Sequence, residues 1–257
     1  MEKRATVIDS IRKQTKNVLL VDAGDLFSRR PQYWRNLFIA RAYRFMDYDA
    51  IALGDQDFVQ GPEFLITELF VGGKILNTNI QYLGLTIGNP YKIFTFDSLR
   101  IGVTAIFDSS LAGLVWVKSK GFFKFINTTK SFKPVLDELQ KKCDFIILLA
   151  HMELNKTRQF VKAFPMINLV INGHSMNLLQ TPVKQGNTYF LQTDGNAYRL
   201  GKAVLYFKGK QLQKIENGLI LLDGHISNHP KMMELIAEYK DGPRNRRSNI
   251  SPQSKIK

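Results

Sequence analysis

Carboxylates and imidazoles follow four separate apolar runs of this sequence, at the point where each run ends. They are Asp22 and Asp25 after the first run, Asp55 and Asp57 after the second, His151 after the third and His174 after the fourth. Ligands of open α/β sheets bind beyond the carboxyl ends of the strands, so side chains displayed there can converge. Carboxylates combined with imidazoles suit a divalent cation such as Zn, Mn, Fe or Ni. The pattern therefore predicts a metal site at one sheet edge.

The apolar runs themselves have strand length and are bounded by turn residues. They are Val18 to Val21, Ala50 to Leu53, Lys74 to Leu76, Ile101 to Ile106, Phe145 to Ala150 and Leu169 to Ile171. Helical patterns separate several of them, at about 5–16, 32–46, 62–70, 132–142 and 155–164. Such alternation of strand and helix predicts a parallel or mixed sheet covered by helices.

Two regions show the pattern of antiparallel hairpins instead. Tyr91 to Phe96 and Arg100 to Phe107 flank an Asp97-Ser98 turn, and the segments 188–193, 201–207 and 211–222 are separated by glycine-containing turns. Both textures together predict an α/β fold of two packed mixed β-sheets with helices on the outer faces, in four layers. We expect one domain over residues 1–222, a terminal helix or connector over 223–240, and a basic disordered tail over 241–257.

Composition narrows the class of protein. The 257 residues are 44% hydrophobic and 23% charged, as in globular domains. No apolar run approaches the roughly 20 residues that a membrane span requires. The single cysteine, Cys143, excludes an internal disulfide and a thiolate metal cluster. A net charge of +14 favours an anionic partner, without choosing among phosphorylated substrates, nucleic acid and membrane surfaces.

The order of the motifs resembles the calcineurin-like metallophosphoesterases, specifically the N-terminal metal-binding domain of the 5'-nucleotidase family. The matching stretches are Gly24-Asp25, Gly54-Asp55-Gln56-Asp57-Phe58, Ala150-His151 and Gly173-His174-Ser175. The resemblance covers about residues 4–222. It implies a metal-dependent phosphoester hydrolase in which the Asp25 carboxylate bridges two ions.

This chain departs from the family pattern at several positions. Asp55 replaces an asparagine ligand, and Gln56 replaces the histidine that acts on the leaving group. Glutamine can donate a hydrogen bond but cannot act as an acid near neutral pH. The acidic residue that partners this histidine in the family is replaced by Val59. A histidine ligand of the family is replaced by Met176. The family's first Asp-x-His motif has no counterpart in this chain. The resemblance therefore favours one bound ion over two, with the ion held by Asp25, Asp55, His151 and His174.

Two functions of different classes follow. The first is a phosphoester hydrolase with an altered site, weak or inactive as this chain stands, acting on a phosphorylated small molecule such as a nucleotide, with Gln56 touching the phosphate. The second is a non-catalytic pseudo-phosphoesterase that serves as a binding or interaction module. Arg29 and Arg30 are candidate phosphate-binding residues, with a solvated basic helix face as the alternative. Nucleic-acid binding is not favoured, because no recognition motif accompanies the basic residues.

The absent Asp-x-His motif would lie on a strand at the centre of a sheet, and a domain without it exposes apolar neighbours near Val18 to Val21. We therefore expect the sequence to be truncated at its N-terminus. This chain shows no export signal, because the stretch after Met1 lacks the apolar core segment of a secretory signal. A signal peptide upstream would place the protein in the periplasm or outside the cell.

Overall fold

The structure is a computed structural model that describes residues 1–69, 72–111, 113 and 122–245. Its helices are α1 (Glu2–Gln14), α2 (Tyr33–Met46), α3 (Pro62–Phe64, continued by a π-helical turn over Leu65–Leu69), α4 (Thr128–Lys142), α5 (Leu154–Lys162) and α6 (Pro230–Asn245). Its strands are β1 (Val21–Asp22), β2 (Ala50–Ala52), β3 (Ile75–Leu76), β4 (Ile80–Tyr82), β5 (Leu85–Thr86), β6 (Tyr91–Phe96), β7 (Leu99–Phe107), β8 (Phe123–Phe125), β9 (Phe145–Met152), β10 (Leu169–His174), β11 (Val183–Gln185), β12 (Thr188–Leu191), β13 (Arg199–Lys208) and β14 (Gln211–Leu221).

Two sheets pack against each other at the centre of the molecule. One is parallel, with the order β1-β2-β3, and the other is mixed, with the order β11-β12-β10-β9-β7-β6. Buried side chains of both sheets, such as Ala52 and Leu149, form one apolar layer between them. Helices α1 and α2 cover the first sheet, and α4 and α5 cover the second. The predicted α/β fold with two packed sheets and outer helices is confirmed.

The sequence explains the central strand and its covering helix. All eight residues of β9 are buried, as expected for a parallel strand with both faces covered, which carries a continuous apolar run. In α4, the buried residues Phe132, Leu136 and Leu139 recur at helical spacing and form one stripe. The Asn127 side chain accepts a hydrogen bond from the Lys130 backbone amide and caps this helix.

One predicted hairpin is wrong. Strand β12 was expected to pair with β13, but it pairs in parallel with β10 and antiparallel with β11. Phe190 is fully buried in β12, so this strand extends the parallel core sheet. The connection that follows turns away through Asn196 and Ala197, at φ values of 65° and 57°. Strands β13 and β14 form a separate two-stranded ribbon, so the predicted hairpin between them is confirmed. The predicted hairpin of β6 and β7 is also confirmed.

Helix α6 packs on α1 and α2. Met232 is fully buried, Tyr239 stacks on Phe38 at 5.2 Å, and Glu238 forms an ion pair with Arg41. The helix continues five residues beyond the expected boundary at 240, and the rest of the expected basic tail, 246–257, lies outside the described residues. Within the described part of the chain, every helix is too short or too polar to cross a bilayer.

Candidate metal centre

The four side chains predicted to bind a metal meet at one place in the fold. One ligand atom each from Asp25, Asp55, His151 and His174 lies within 4.8 Å of the others. Asp25 and Asp55 follow β1 and β2, while His151 is the next-to-last residue of β9 and His174 is the last residue of β10. The parallel register sets Gly173 beside His151, so both imidazoles reach the same edge. Topology thus assembles residues that are up to 149 positions apart.

The His151 ring is fixed by its own contacts. Its Nδ1 lies 2.8 Å from the Ala23 carbonyl oxygen, which assigns the N–H to Nδ1 and leaves the Nε2 lone pair free. Nε2 lies 3.2 Å from Asp55 Oδ1 and 3.4 Å from Asp25 Oδ1. The ring is fully buried and stacks parallel to Phe107. A lone pair that faces two carboxylate oxygens needs a cation or a proton between them.

His174 completes this donor set. Its Nδ1 lies 3.2 Å from Asp55 Oδ1, and its Nε2 lies 3.9 Å from the carboxylate of Glu153. A metal-bound imidazole is commonly oriented by a carboxylate on its other nitrogen. Two carboxylate oxygens and two imidazole nitrogens match the preferences of a divalent transition metal. The residues present therefore fit a divalent metal ion.

The members of the cluster shift one another's pKa values. Burial raises the pKa of Asp25, and the charge of Asp55 adds to that rise. Burial also acts to raise the pKa of Asp55, but its hydrogen-bonding interactions with His151 and His174 outweigh burial and hold that pKa well below its usual range. Burial disfavours the charged form of His151, yet the Asp55 hydrogen bond and the Asp25 charge raise its pKa. A bound cation would displace the proton that these groups share.

A strained turn presents Asp25. Gly24 and Asp25 have φ values of 95° and 64°, a region that only glycine enters without steric cost. A Cβ atom on Gly24 would lie 2.6 Å from the Gly54 backbone nitrogen. Glycine at 24 is therefore required both by the backbone conformation and by the close approach of the loop that carries Asp55.

Asp57 is the site residue whose role the sequence did not reveal. Its side chain is fully buried, and burial raises its pKa to about 7. Oδ2 accepts hydrogen bonds from the backbone amides of Gly54 and Asp25, at 2.7 and 3.0 Å. Oδ1 accepts from the amides of Leu26 and Phe27, at 2.8 and 3.3 Å. One carboxylate thus ties the Asp25 loop to the Asp55 loop.

The other predicted site residues lie around this cluster. Gln56 contacts Asp25 through both its backbone and its side-chain nitrogen. Arg29 lines the adjoining cavity, and Arg30 is exposed. Met176 is 60% exposed at the cavity wall.

The cavity has a volume of about 1810 Å³. Asp25, Asp55 and His174 lie on its wall, and it extends between β1 and the β13–β14 ribbon along apolar side chains that include Leu19 and Leu205. Strand β1 is an edge strand in the described part of its sheet. The candidate centre is therefore open to a space large enough for a small organic ligand.

Comparisons with known proteins concern the family and the fold of this chain. The model of the calcineurin-like phosphoesterase family matches residues 1–178. A snake venom 5'-nucleotidase of Naja atra is 30% identical over 93% of the chain, and the chain spans half of that protein's length. A 5'-nucleotidase precursor of Thermus thermophilus superposes with a TM-score of 0.79 at 20% identity, over 93% of this chain and 52% of that one.

A sulfate thiohydrolase of Thermus thermophilus, SoxB, superposes with a TM-score of 0.83 at 14% identity, over 95% of this chain and 47% of that chain. At this identity the likeness concerns the fold alone. Proteins whose names describe different reactions share the architecture, so the fold by itself does not determine the substrate.

Proposed function

The chain belongs to the calcineurin-like phosphoesterase family, and from that premise we propose that it is a metal-dependent phosphoester hydrolase with an altered, one-ion site. The observation that carries the proposal is the convergence of Asp25, Asp55, His151 and His174 within 4.8 Å. All four are the candidate ligands. A divalent ion, when bound, supplies a Lewis acid that polarises a phosphoryl oxygen and activates water.

In this proposal the protein's own residues orient the metal ligands and hold the phosphate. The Ala23 carbonyl keeps His151 in the tautomer whose Nε2 is free to bind. Gln56 holds the Asp25 carboxylate and retains a second amide hydrogen that can be donated to a phosphate oxygen. Arg29, on the cavity wall, supplies a positive charge near the incoming phosphate.

The leaving group has no ionisable donor at position 56. General acid catalysis typically contributes about 10² to 10⁴ in rate, so we expect slow turnover with poor leaving groups and less of a deficit with an activated aryl phosphate. That reactivity pattern distinguishes a weak hydrolase from the second candidate, a non-catalytic binding module. The specific feature that favours the module is Gln56, which cannot transfer a proton at neutral pH.

Phosphorylated small molecules are the proposed substrate class, and nucleotides are the first to screen, because the curated relatives are named 5'-nucleotidases. The chain spans 50% and 38% of the length of the cobra and rat proteins, so nucleotide specificity is a proposal that the screen tests. The name of the cobra protein places that relative in venom, which makes an extracellular setting the compartment to test first.

The deciding experiment measures metal content by elemental analysis and hydrolysis of 4-nitrophenyl phosphate, with native protein, Asp25→Ala and His174→Ala. The matched control is His225→Ala, because His225 is exposed and outside the cluster. We expect about one divalent ion per native chain, lost together with hydrolysis in both site variants and retained in the control. A folded native protein that binds metal but hydrolyses no phosphoester would support the binding module. A folded native protein that binds none of Zn, Mn, Fe and Ni contradicts the proposal.

A further inference from the structure

A buried side-chain network connects helices α1 and α2 to the turn that carries Asp25. Arg4 is only 7% exposed, and its Nη1 donates to the hydroxyl oxygens of Tyr43 at 3.1 Å and Tyr48 at 3.4 Å. The Tyr43 hydroxyl donates in turn to Asp22 Oδ2 at 2.7 Å. A charged guanidinium is almost never fully buried without compensation. Here the compensating carboxylate is reached through the Tyr43 hydroxyl.

The second oxygen of Asp22 reaches the ligand turn itself. Oδ1 accepts a hydrogen bond from the Gly24 backbone amide at 3.0 Å, which forms an Asx turn over Asp22 to Gly24. The next residue is the candidate ligand Asp25. The residue between, Ala23, offers the carbonyl that holds His151. The orientation of one carboxylate thus affects two of the four candidate ligands.

We propose that Tyr43, supported by Arg4, is a positioning residue of the metal centre. By donating to Asp22 Oδ2, Tyr43 fixes the carboxylate in the orientation in which Oδ1 holds Gly24. The turn then presents Asp25, and the Ala23 carbonyl behind His151, in the geometry that a cation requires. The inference rests on the proposed function, because it assumes that the cluster binds a metal ion.

Tyr48 provides a matched control. Tyr43 and Tyr48 are both buried, stack on each other at 4.4 Å, and accept hydrogen bonds from the same guanidinium nitrogen. The hydroxyl that donates to Asp22 is that of Tyr43. Phenylalanine at either position keeps the ring and removes one hydroxyl. A role limited to core stability predicts similar effects for both substitutions.

The experiment titrates the metal-free full chain with Mn²⁺ and Co²⁺, for native protein, Tyr43→Phe and Tyr48→Phe, and records melting temperatures alongside. Loss of a group that orients a ligand typically costs about 10- to 100-fold in metal affinity. We expect a loss in that range for Tyr43→Phe and less than about threefold for Tyr48→Phe, which keeps the Asp22 contact. The visible spectrum of bound Co²⁺ should change in Tyr43→Phe alone. Equal affinities in the two variants overturn the proposal.

A second pair of variants serves if Tyr43→Phe fails to fold. Asp22→Asn keeps an oxygen for Gly24 and an amide that can hydrogen-bond Tyr43, so it should retain affinity that Asp22→Ala loses; equal losses overturn the proposal. Exchange of the Gly24 amide hydrogen, measured without metal, should be faster in Tyr43→Phe than in Tyr48→Phe. If native protein binds no metal, the proposed function fails, whereas equal exchange rates in a metal-binding protein refute only the role of Tyr43.

Discussion

Gln56 donates two hydrogen bonds to the carboxylate of Asp25. The backbone amide reaches Oδ1 at 2.9 Å and the side-chain Nε2 reaches Oδ2 at 2.8 Å. Both oxygens of one candidate ligand are therefore oriented by a single residue of the neighbouring loop. Glutamine at this position thus holds a ligand in place, a task that requires no change of protonation state.

Replacing Gln56 with alanine should weaken metal binding while the fold persists. The substitution removes the Nε2 contact and leaves the backbone contact, so we expect a loss in Mn²⁺ affinity of about tenfold. Titration calorimetry measures it, with Gln213→Ala as the control, because Gln213 is exposed on β14. Unchanged affinity in Gln56→Ala would show that the side-chain contact does not orient Asp25.

Asp57 should stabilise the fold more than a comparable carboxylate elsewhere. In Asp57→Ala, four backbone amides lose their acceptor, and at about 1–3 kcal/mol for each buried unsatisfied group the loss in unfolding free energy should reach at least ~3 kcal/mol. The control is Asp49→Ala, because Asp49 Oδ2 accepts one amide, that of Leu20, and about 1 kcal/mol is expected. Urea denaturation of both variants tests this, and similar losses would refute the special role of Asp57.

Gly173 should not tolerate alanine. A Cβ atom there would lie 2.4 Å from the Ala23 carbonyl oxygen, the same oxygen that accepts from His151. Backbone cannot yield as a flexible side chain does, so we expect a loss of about 1–3 kcal/mol in stability and impaired metal binding. In Gly218→Ala the new Cβ would lie 3.7 Å from its nearest neighbour, and a change within about 0.5 kcal/mol is expected. Thermal denaturation that ranks the two alike would contradict the clash.

Asp144 should give the stability a dependence on acid pH. Its carboxylate accepts from the Arg100 backbone amide and from Lys210 Nζ, each at 2.9 Å, and these bonds lower its pKa. A lowered folded-state pKa stabilises the fold above the ordinary value of about 3.9 and ceases to do so as pH falls through the folded pKa.

Asp144→Asn should therefore be less stable than native protein at neutral pH, and the difference should stay level down to about pH 5 and shrink as pH falls below about 4 toward the lowered pKa. Urea denaturation across this range measures the difference, with Asp137→Asn as the control on an exposed helix pair. A difference that stays constant with pH would mean that the charge of Asp144 is not what stabilises the fold.

Local patterns in the sequence were sufficient for most of the architecture. The run of apolar residues in β9 and the stripe in α4 follow from burial of both strand faces and of one helix face, and both elements form where the pattern places them. The pairing of β12 could not be read this way, since an apolar strand after a turn fits a hairpin and a parallel sheet equally well. The pairing partner of β12 depended on which neighbouring strand buries Phe190.

The sequence by itself determined that Asp25, Asp55, His151 and His174 follow strands, because strand ends can be read from periodicity and turn residues. Only the tertiary structure decided what holds them. The partners of Asp57 lie up to 32 positions away, and Tyr43 reaches Asp22 across 21 positions. Hydrogen bonds between a side chain and a distant backbone or carboxylate leave no periodic trace in the sequence, because they depend on how separate elements pack.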